Sequence, residues 1–320
     1  MIVVEDLAKR FGEGVDAVDA VRGVTFEVAP GEIFGLLGPN GAGKSTTILI
    51  LATLLRPTGG RASVAGYDVV DRPGEVRRAI GVTLQETGLD DFQRGREILE
   101  FHGRLYGLGA SAASARAREL IELVDLEDAA ERKLGTYSGG MRRRLDLALT
   151  LVHSPRLVYL DEPTTGLDPA SRRAIWGEIT KLKASGVTVL LTTQYLEEAD
   201  RLADRVSIID DGLLAAEGPP EELKRQLGGD VVEIMLADHE TAARAAVAIG
   251  GDEVVVDEQV VRWTTPDGAS RVPELVAALQ RDGIDPSAIS VSRPTLDDVF
   301  LHLTGRRLER DDASGEADGA

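Results

Sequence analysis

Short apolar runs alternate with stretches of helical spacing over about the first 228 residues. The clearest runs predict strands, at 24–28, 33–37, 79–84, 157–160, 187–192 and 206–209. Strands that alternate with helices are typical of an α/β domain, in which helices cover a largely parallel sheet. Between about residues 88 and 135 the apolar positions recur only at helical spacing, which predicts a helical insertion in this domain.

The pattern changes after Gly228-Gly229, and we predict a second domain over residues 229–305. Its order is strand, helix, two strands, helix and strand, at 231–236, 241–249, 253–256, 260–264, 272–282 and 289–291. This order predicts a small α+β domain similar to a ferredoxin-like unit. A last helix should begin at Thr295, with Asp298 placed to complete a capping box. Residues 306–320 are polar and acidic and are predicted to be disordered.

Composition narrows the classes of function. The 320 residues include 54 acidic and 36 basic side chains, a net charge of −18, which disfavours direct binding to nucleic acid. Cysteine is absent and the four histidines do not fall at metal-ligand spacing, so we expect any metal to be held by oxygen atoms. No apolar run approaches the roughly 18 residues of a membrane-spanning helix, and the N-terminus does not resemble a signal peptide. We therefore expect a protein of the cytoplasm.

A phosphate-binding loop is predicted at residues 38–45, which read GPNGAGKS between a predicted strand and a predicted helix. Backbone N–H groups of such a loop surround phosphate, and the ammonium of Lys44 would contact the β and γ phosphates. The hydroxyl of Ser45 would bind Mg²⁺. A glycine-rich turn with a solvated lysine is the alternative, and both flanking elements argue against it. The residues predicted to bind nucleotide here are Gly38, Asn40, Gly41, Gly43, Lys44, Ser45 and Thr46.

A second candidate element is the apolar run 157–160, which ends in two acids. In P-loop ATPases a carboxylate at the end of a neighbouring strand reaches Mg²⁺, and we assign this role to Asp161. Glu162 would face the γ phosphate and accept a proton from the attacking water, which makes it the predicted catalytic base. Alone, such a pair is more often a solvated strand terminus. It becomes informative because the same chain contains the phosphate loop.

Residues 137–141 (YSGGM), the helical segment after them and the run 161–168 (DEPTTGLD) together resemble the signature region of ABC ATPases. The resemblance implies a P-loop cassette with a RecA-like core and a helical subdomain, which binds ATP with Mg²⁺. In that family the residues that correspond to Ser138, Gly139 and Gly140 close over ATP held by the opposite subunit. The resemblance therefore implies a dimer of cassettes. The residues agree, because Ser138 can cap a helix and the glycines expose backbone N–H groups.

Further positions correspond to the family by motif. Phe11 matches the aromatic residue that stacks on adenine. Gln85 matches the glutamine that contacts the γ phosphate and Mg²⁺ and links hydrolysis to a membrane subunit, and Asp168 matches an aspartate that communicates across the dimer. Gln194 stands where the family generally has a histidine. Its amide can donate a hydrogen bond to phosphate but cannot titrate, so we place it with Lys44 and Glu162 in the catalytic group.

Four segments, at 51–57, 136–146, 192–200 and 293–300, are similar to the daunorubicin-resistance type of bacterial export ATPase. This resemblance implies export of a hydrophobic drug or antibiotic through an integral membrane permease on a separate chain. It also implies a homodimer of cassettes in a two-plus-two complex at the cytoplasmic face of the membrane.

Two other interpretations compete with a transporter. A soluble ABC ATPase acting on ribosomes or DNA is the alternative, and it is disfavoured by the presence of one phosphate loop and a short insertion. A non-hydrolysing regulator is a third interpretation. The arginines at 142–144 could form a phosphate-binding patch, but with Asp146 nearby they are predicted to form a solvated helix face, and no site is assigned to them.

Overall fold

The computed structural model describes residues 1–14, 17–83, 89–250 and 253–305. The chain divides into two compact units, Met1–Glu217 and a second that begins at Gly218. This division precedes the boundary predicted after residue 228. The reason is a short helix, Pro220–Gln226, whose Leu223 is buried and which packs against the last helix of the second unit. Among the described residues, no helix is long and apolar enough to span a bilayer.

The first unit contains two sheets, seven α-helices and two short 3-10 helices among its described residues. In chain order its elements are β1 (Ile2–Phe11), β2 (Val18–Val28), β3 (Ile33–Leu37), α1 (Lys44–Leu51), β4 (Gly59–Val64), β5 (Tyr67–Asp68), α2 (Pro73–Ala79), β6 (Ile80–Thr83), α3 (Gly95–Leu105), α4 (Ala110–Leu123), α5 (Gly139–Thr150), β7 (Leu157–Asp161), α6 (Pro169–Ala184), β8 (Thr188–Thr193), α7 (Leu196–Leu202), β9 (Arg205–Asp210) and β10 (Leu213–Gly218).

The larger sheet has the order β10-β9-β3-β8-β7-β6, and its strands from β9 to β6 run parallel. Every residue of β3, β7 and β8 is buried. Continuous apolar strands of this kind are expected where both faces of a parallel sheet are covered. The carboxyl ends of β3, β7 and β8 therefore meet at one edge of the sheet, which is where ligands bind in such folds.

The second sheet is antiparallel, in the order β2-β1-β4-β5. Its apolar face packs with Phe34 and Leu36 of β3 and with Ile48 of α1 in one buried cluster. The short strands β4, β5 and β10 were not predicted, because β4 begins with two glycines, β5 has only two residues, and β10 shows no alternation of apolar and polar residues. Helices α3 and α4 form the predicted insertion and pack with α5 and α6 in a second buried cluster.

The second unit continues with α8 (Pro220–Gln226), β11 (Asp230–Met235), α9 (His239–Ile249), β12 (Val254–Asp257), β13 (Val260–Thr265), α10 (Gly268–Arg281), β14 (Ala288–Ser292) and α11 (Leu296–Thr304). Its sheet has the order β12-β13-β11-β14 with every neighbouring pair antiparallel. This order agrees with the predicted ferredoxin-like arrangement, and α9 and α10 pack on one face around Val232, Ile234 and Val261. The predicted capping box at Thr295 and Asp298 is present at the start of α11.

Candidate active site

The loop between β3 and α1 depends on glycine for its shape. Gly43 has a φ of +102°, a backbone conformation that other residues rarely adopt. A Cβ at this position would lie 2.3 Å from the carbonyl oxygen of Ala20. The N-terminus of α1 thus lies directly against β2, with its first N–H groups directed toward the loop. Asn40 and Gly41 are exposed at the tip of the loop, and Thr46 is half-buried in the first turn of α1.

Lys44 is buried, yet its ammonium group is surrounded by oxygen atoms. Its Nζ donates to the carbonyl oxygens of Gly38 at 2.8 Å and Pro39 at 3.0 Å. It also lies 3.5 Å from Oε1 of Glu162 in a buried ion pair. Burial lowers the pKa of Lys44, and the Glu162 carboxylate opposes this effect. The ion pair thus connects the phosphate loop to Glu162, the predicted catalytic base.

Ser45 and Asp161 come together at the edge of the large sheet. The hydroxyl of Ser45 donates to Oδ1 of Asp161 at 3.1 Å, across 116 residues of sequence. The hydroxyl of Thr192 donates to the same carboxylate oxygen, because β7 and β8 pair in a register that places Asp161 opposite Thr192. Two of the side chains predicted to hold Mg²⁺ therefore present neighbouring hard oxygen atoms, which suit that ion.

Glu162 adopts an uncommon backbone conformation, with a φ of +47°. Left-handed geometry in a residue with a side chain costs on the order of 1 kcal/mol and is concentrated at functional sites. Its N–H donates to the carbonyl and hydroxyl oxygens of Thr192, both at 3.1 Å. Its Oε2 accepts from the hydroxyl of Thr165 at 3.2 Å, while its Oε1 faces Lys44. The carboxylate is thus held between two partners at the end of β7.

Arg143 corrects the prediction that residues 142–144 form a solvated face. Only 8% of its surface is exposed, and its guanidinium donates to the carbonyl oxygens of Asp161, Glu162 and Pro163. Its Nη1 lies 3.5 Å from Oδ2 of Asp146. Sequence spacing could not reveal this burial, because it depends on α5 packing against the segment after β7. An acid three residues after the arginine was the only local signal.

The signature segment begins helix α5. Ser138 is its N-cap, as predicted, and accepts from the N–H of Met141 at 3.3 Å. Gly139 and Gly140 form the first turn, and a Cβ at Gly140 would lie 2.5 Å from the hydroxyl oxygen of Ser171 in α6. Gly140 is therefore required by the contact between two helices of this same chain. The sequence interpretation had explained it only by exposed N–H groups.

Asp168 caps the next helix, α6. Its Oδ1 accepts from the N–H groups of Ala170 at 2.9 Å and Ser171 at 3.0 Å. Its Oδ2 accepts from the hydroxyl of Ser171, and this hydrogen bond holds the pKa of Asp168 below its ordinary value. The capping residue of α6 is thus connected through Ser171 to the signature glycine of α5.

Three predicted residues remain, and the structure describes two of them. Phe11 ends β1 with 42% of its surface exposed, and Nζ of Lys9 lies 5.0 Å from the centre of its ring. Gln194 directly follows β8 and is half-buried, two residues beyond Thr192. Gln85 falls within residues 84–88, which lie outside the described residues.

The sequence and the fold both match known proteins. Residues 21–165 match the family described as ABC transporter, and residues 218–304 match the one described as ATP-binding protein DrrA1-3-like, C-terminal domain. The chain is 47% identical to the daunorubicin resistance ATP-binding protein DrrA2 of Streptomyces coeruleorubidus, over 98% of each chain. It is 41% identical to the Nod factor export ATP-binding protein I of Burkholderia lata, over 95% of this chain and 97% of that protein.

A solved structure agrees with these sequence matches. A dimeric ATP-binding cassette in a post-hydrolysis state, bound to ADP and Pi, has a TM-score of 0.63 with 26% identity and covers 68% of this chain and 98% of that one. The matched sequences extend through both units, and the fold match covers the length of a cassette. The chain therefore belongs to the ABC transporter ATP-binding proteins of the daunorubicin-resistance (DrrA) type, and it is an ABC-type ATPase.

Proposed function

We propose that this chain is the motor of an exporter that moves a hydrophobic drug or antibiotic through a separate membrane permease. The observation that carries the proposal is the cluster of Lys44, Ser45, Asp161 and Glu162, which join the phosphate loop to the end of β7. Export through a permease is supported by relatives named for daunorubicin resistance and for Nod factor export. Such names favour transport over action on ribosomes or DNA.

The proposed chemistry depends on position and charge. The loop N–H groups and Lys44 would hold the β and γ phosphates, because Nζ of Lys44 is already directed into the loop by two carbonyl oxygens. Glu162 would accept the proton of the attacking water through the carboxylate that now faces Lys44 and Thr165. Gln194 would donate its amide N–H to phosphate. This arrangement needs no covalent intermediate, as is usual for phosphoryl transfer in P-loop enzymes.

Mg²⁺ is proposed as the metal. Ser45 Oγ and Asp161 Oδ1 would hold it together with Gln85, which falls outside the described residues, and the 3.1 Å between the Ser45 and Asp161 oxygens supports this assignment. Among the described residues no group of three or more acidic, histidine or cysteine side chains could form a metal site of its own. Such a sparse set suits Mg²⁺, which is usually bound by one or two protein groups together with substrate phosphates and water. When bound, it would neutralise charge on the phosphates.

Two copies of the chain are proposed to enclose two ATP molecules. The capped N-terminus of α5, with Ser138, Gly139 and Gly140, presents backbone N–H groups of a second anion site. One phosphate loop does not need a second such site within the same subunit. We assign it to ATP held by the partner copy, with Phe11 stacking on adenine and Asp168 close to the interface. ATP binding would close the pair, and hydrolysis would reopen it.

The helical insertion offers a surface for the permease. Phe92 before α3 and Phe101 and Leu105 within it expose 81%, 53% and 67% of their surfaces. Phe101 and Leu105 are four residues apart and lie on the same face of α3, beside Glu97, Glu100 and Arg104. Exposed apolar side chains with a charged rim are characteristic of protein interfaces. Binding there would place the chain at the cytoplasmic face of the membrane.

The proposal is tested by affinity purification of tagged Glu162→Gln protein from gently solubilised membranes with ATP and Mg²⁺, followed by mass spectrometry. This variant should bind ATP but hydrolyse it very slowly, and so retain the closed dimer with a multi-spanning companion. Lys44→Ala is the matched control. This variant should no longer bind ATP, so less of the closed dimer should be purified with it. Recovery with ribosomal proteins or DNA would favour the soluble alternative. ATP-driven uptake of daunorubicin by inverted vesicles that contain both subunits would then test the proposed class of cargo.

A further inference from the structure

Helix α5 places one arginine among backbone oxygens that belong to the active site. Nε of Arg143 donates to the carbonyl oxygen of Pro163 at 2.9 Å. Its Nη2 donates to the carbonyl oxygens of Asp161 at 2.8 Å and Glu162 at 3.1 Å. The side chain thus binds three consecutive carbonyl groups, starting at the residue that ends β7.

The chemistry of this contact is specific for arginine. A guanidinium carries five N–H donors in a planar fork, whereas the ammonium of lysine is a compact charge at the end of a flexible stem. Nε and Nη2 of the guanidinium donate to backbone carbonyl oxygens, while Nη1 faces the carboxylate of Asp146. These contacts are buried, so loss of the guanidinium would remove charged donors from this backbone, and the carbonyl oxygen of Glu162 would keep only the N–H of Thr165 among the partners seen here. The site therefore needs the shape of arginine as well as its charge.

The residue at the centre of this contact is Glu162. Its φ of +47° is strained, so neighbouring groups must hold it. Thr192 accepts from its N–H, and Arg143 donates to its carbonyl oxygen, so the peptide groups on both sides of the Cα are fixed. The direction of the Glu162 side chain follows from these two contacts. An error of about 1 Å in the place of a catalytic group can cost roughly 100-fold in rate.

The adjacent arginines have other partners. Arg142 lies 2.7 Å from Asp91 in an ion pair, and Arg144 donates to the carbonyl oxygens of Val124 and Asp125. Each of these contacts lies in the helical insertion or at its end. Of these three neighbouring arginines, the structure therefore joins Arg143 to the active-site backbone, and it supplies Arg142 as a control on the same helix.

We propose that Arg143 is a positioning residue for ATP hydrolysis, which sets the backbone of Glu162 and through it the place of the catalytic carboxylate. The inference rests on the proposed role of Glu162 as base. Arg143 touches neither nucleotide nor water in this role. Its loss should therefore lower kcat and leave the affinity for ATP almost unchanged.

The test uses the assembled transporter and compares Arg143→Lys and Arg143→Gln with Arg142→Gln. We expect Arg143→Lys to lower kcat by about 10- to 100-fold, with the KM for ATP and the Kd of a fluorescent ATP analogue changed by less than about twofold. Arg142→Gln should keep the wild-type kcat. Arg143→Lys retains the charge beside Asp146, so it tests geometry in a folded protein even where Arg143→Gln is too unstable to purify.

A second comparison separates positioning from general destabilisation. Two residues that act as one unit have non-additive effects, so Arg143→Lys should cause little further loss of kcat in a Glu162→Gln background. Equal loss in both backgrounds, or a normal kcat for Arg143→Lys, would overturn the inference. Normal turnover by Glu162→Gln alone would instead overturn the proposed base. Slow turnover by Glu162→Gln beside normal turnover by Arg143→Lys would leave the proposed function intact and remove only the role of Arg143.

Discussion

The hydroxyl oxygen of Ser171 lies 2.5 Å from the position that a Cβ on Gly140 would occupy. We therefore expect Gly140→Ala to destabilise the first unit by about 1–3 kcal/mol, the usual cost of overpacking a helix contact. Gly139→Ala is the matched control, because its Cβ would meet only Leu167 at an ordinary 3.8 Å. Thermal unfolding should separate the two variants. In a Ser171→Gly background the cost of Gly140→Ala should largely disappear, and an unchanged cost there would show that this contact is not its cause.

A buried acid gives a prediction of pH dependence. Burial raises the pKa of Asp146 from 3.8 to about 6, and the charge of Arg143 opposes this effect. Because the folded state then binds the proton more tightly than the unfolded state, this group lowers stability as the pH rises from about 4 to about 6. A difference of about 2 pKa units corresponds to about 3 kcal/mol. We expect Asp146→Asn to remove that decline.

The measurement is urea unfolding of both proteins at several pH values, followed by the fluorescence of Trp176 in a Trp263→Phe background. Trp176 lies in the same unit as Asp146, so the signal reports the relevant core. The free energy of unfolding of the wild type should fall relative to that of Asp146→Asn between pH 4 and pH 7. Parallel curves for the two proteins would contradict the raised pKa.

Gln194 gives a prediction about rate. An amide does not titrate, so wild-type kcat should show no step from this position across the range in which a histidine, with an ordinary pKa of about 6.5, changes charge. Gln194→His should add a step there. The profiles of both proteins between about pH 6 and 8 would test this, with Gln194→Ala as the control for loss of the amide. Superimposed profiles for wild type and Gln194→His would place residue 194 away from the phosphates.

Phe11 gives a prediction about affinity. Its exposed ring at the end of β1 is proposed to stack on adenine, an interaction worth about 0.5–1.5 kcal/mol. Phe11→Ala should therefore raise the KM for ATP by roughly 2- to 12-fold and leave kcat unchanged. Phe11→Tyr retains the aromatic face and should behave like the wild type. A normal KM in Phe11→Ala would mean that adenine binds elsewhere.

Local motifs explain why the contact between the phosphate loop and the acidic end of β7 was predictable. The spacing of residues 38–45 fixes a turn whose geometry hardly depends on the remainder of the chain, and two acids after an apolar run imply the end of a buried strand. Ser45 and Asp161 consequently met as expected, although 116 residues separate them. The order of elements in the second unit was also predicted, because hydrophobic periodicity reports helices and strands directly.

Tertiary contacts explain what the sequence could not predict. The burial of Arg143 depends on which backbone covers that face of α5, and polar residues on helices are usually solvated. The requirement for glycine at position 140 depends on Ser171 in a different helix. The sequence placed residues 220–226 in the first domain because a pair of glycines follows them, whereas the structure forms helix α8 there and its buried Leu223 packs within the second unit.

Helix α5 carries two contacts on adjacent turns, one proposed for the ATP of the partner and one with the backbone of Glu162. It begins at Ser138, proposed to meet ATP held by the partner, and Arg143 lies about 8 Å further along its axis at 1.5 Å per residue. Because both residues belong to one helix, a displacement of its N-terminus should also displace Arg143. Under the proposed dimer, the ATP bound by one copy would adjust the base that cleaves the ATP of the other. Hydrolysis at the two sites would then be coupled, and a dimer with one bound ATP would hydrolyse it slowly until the second ATP binds.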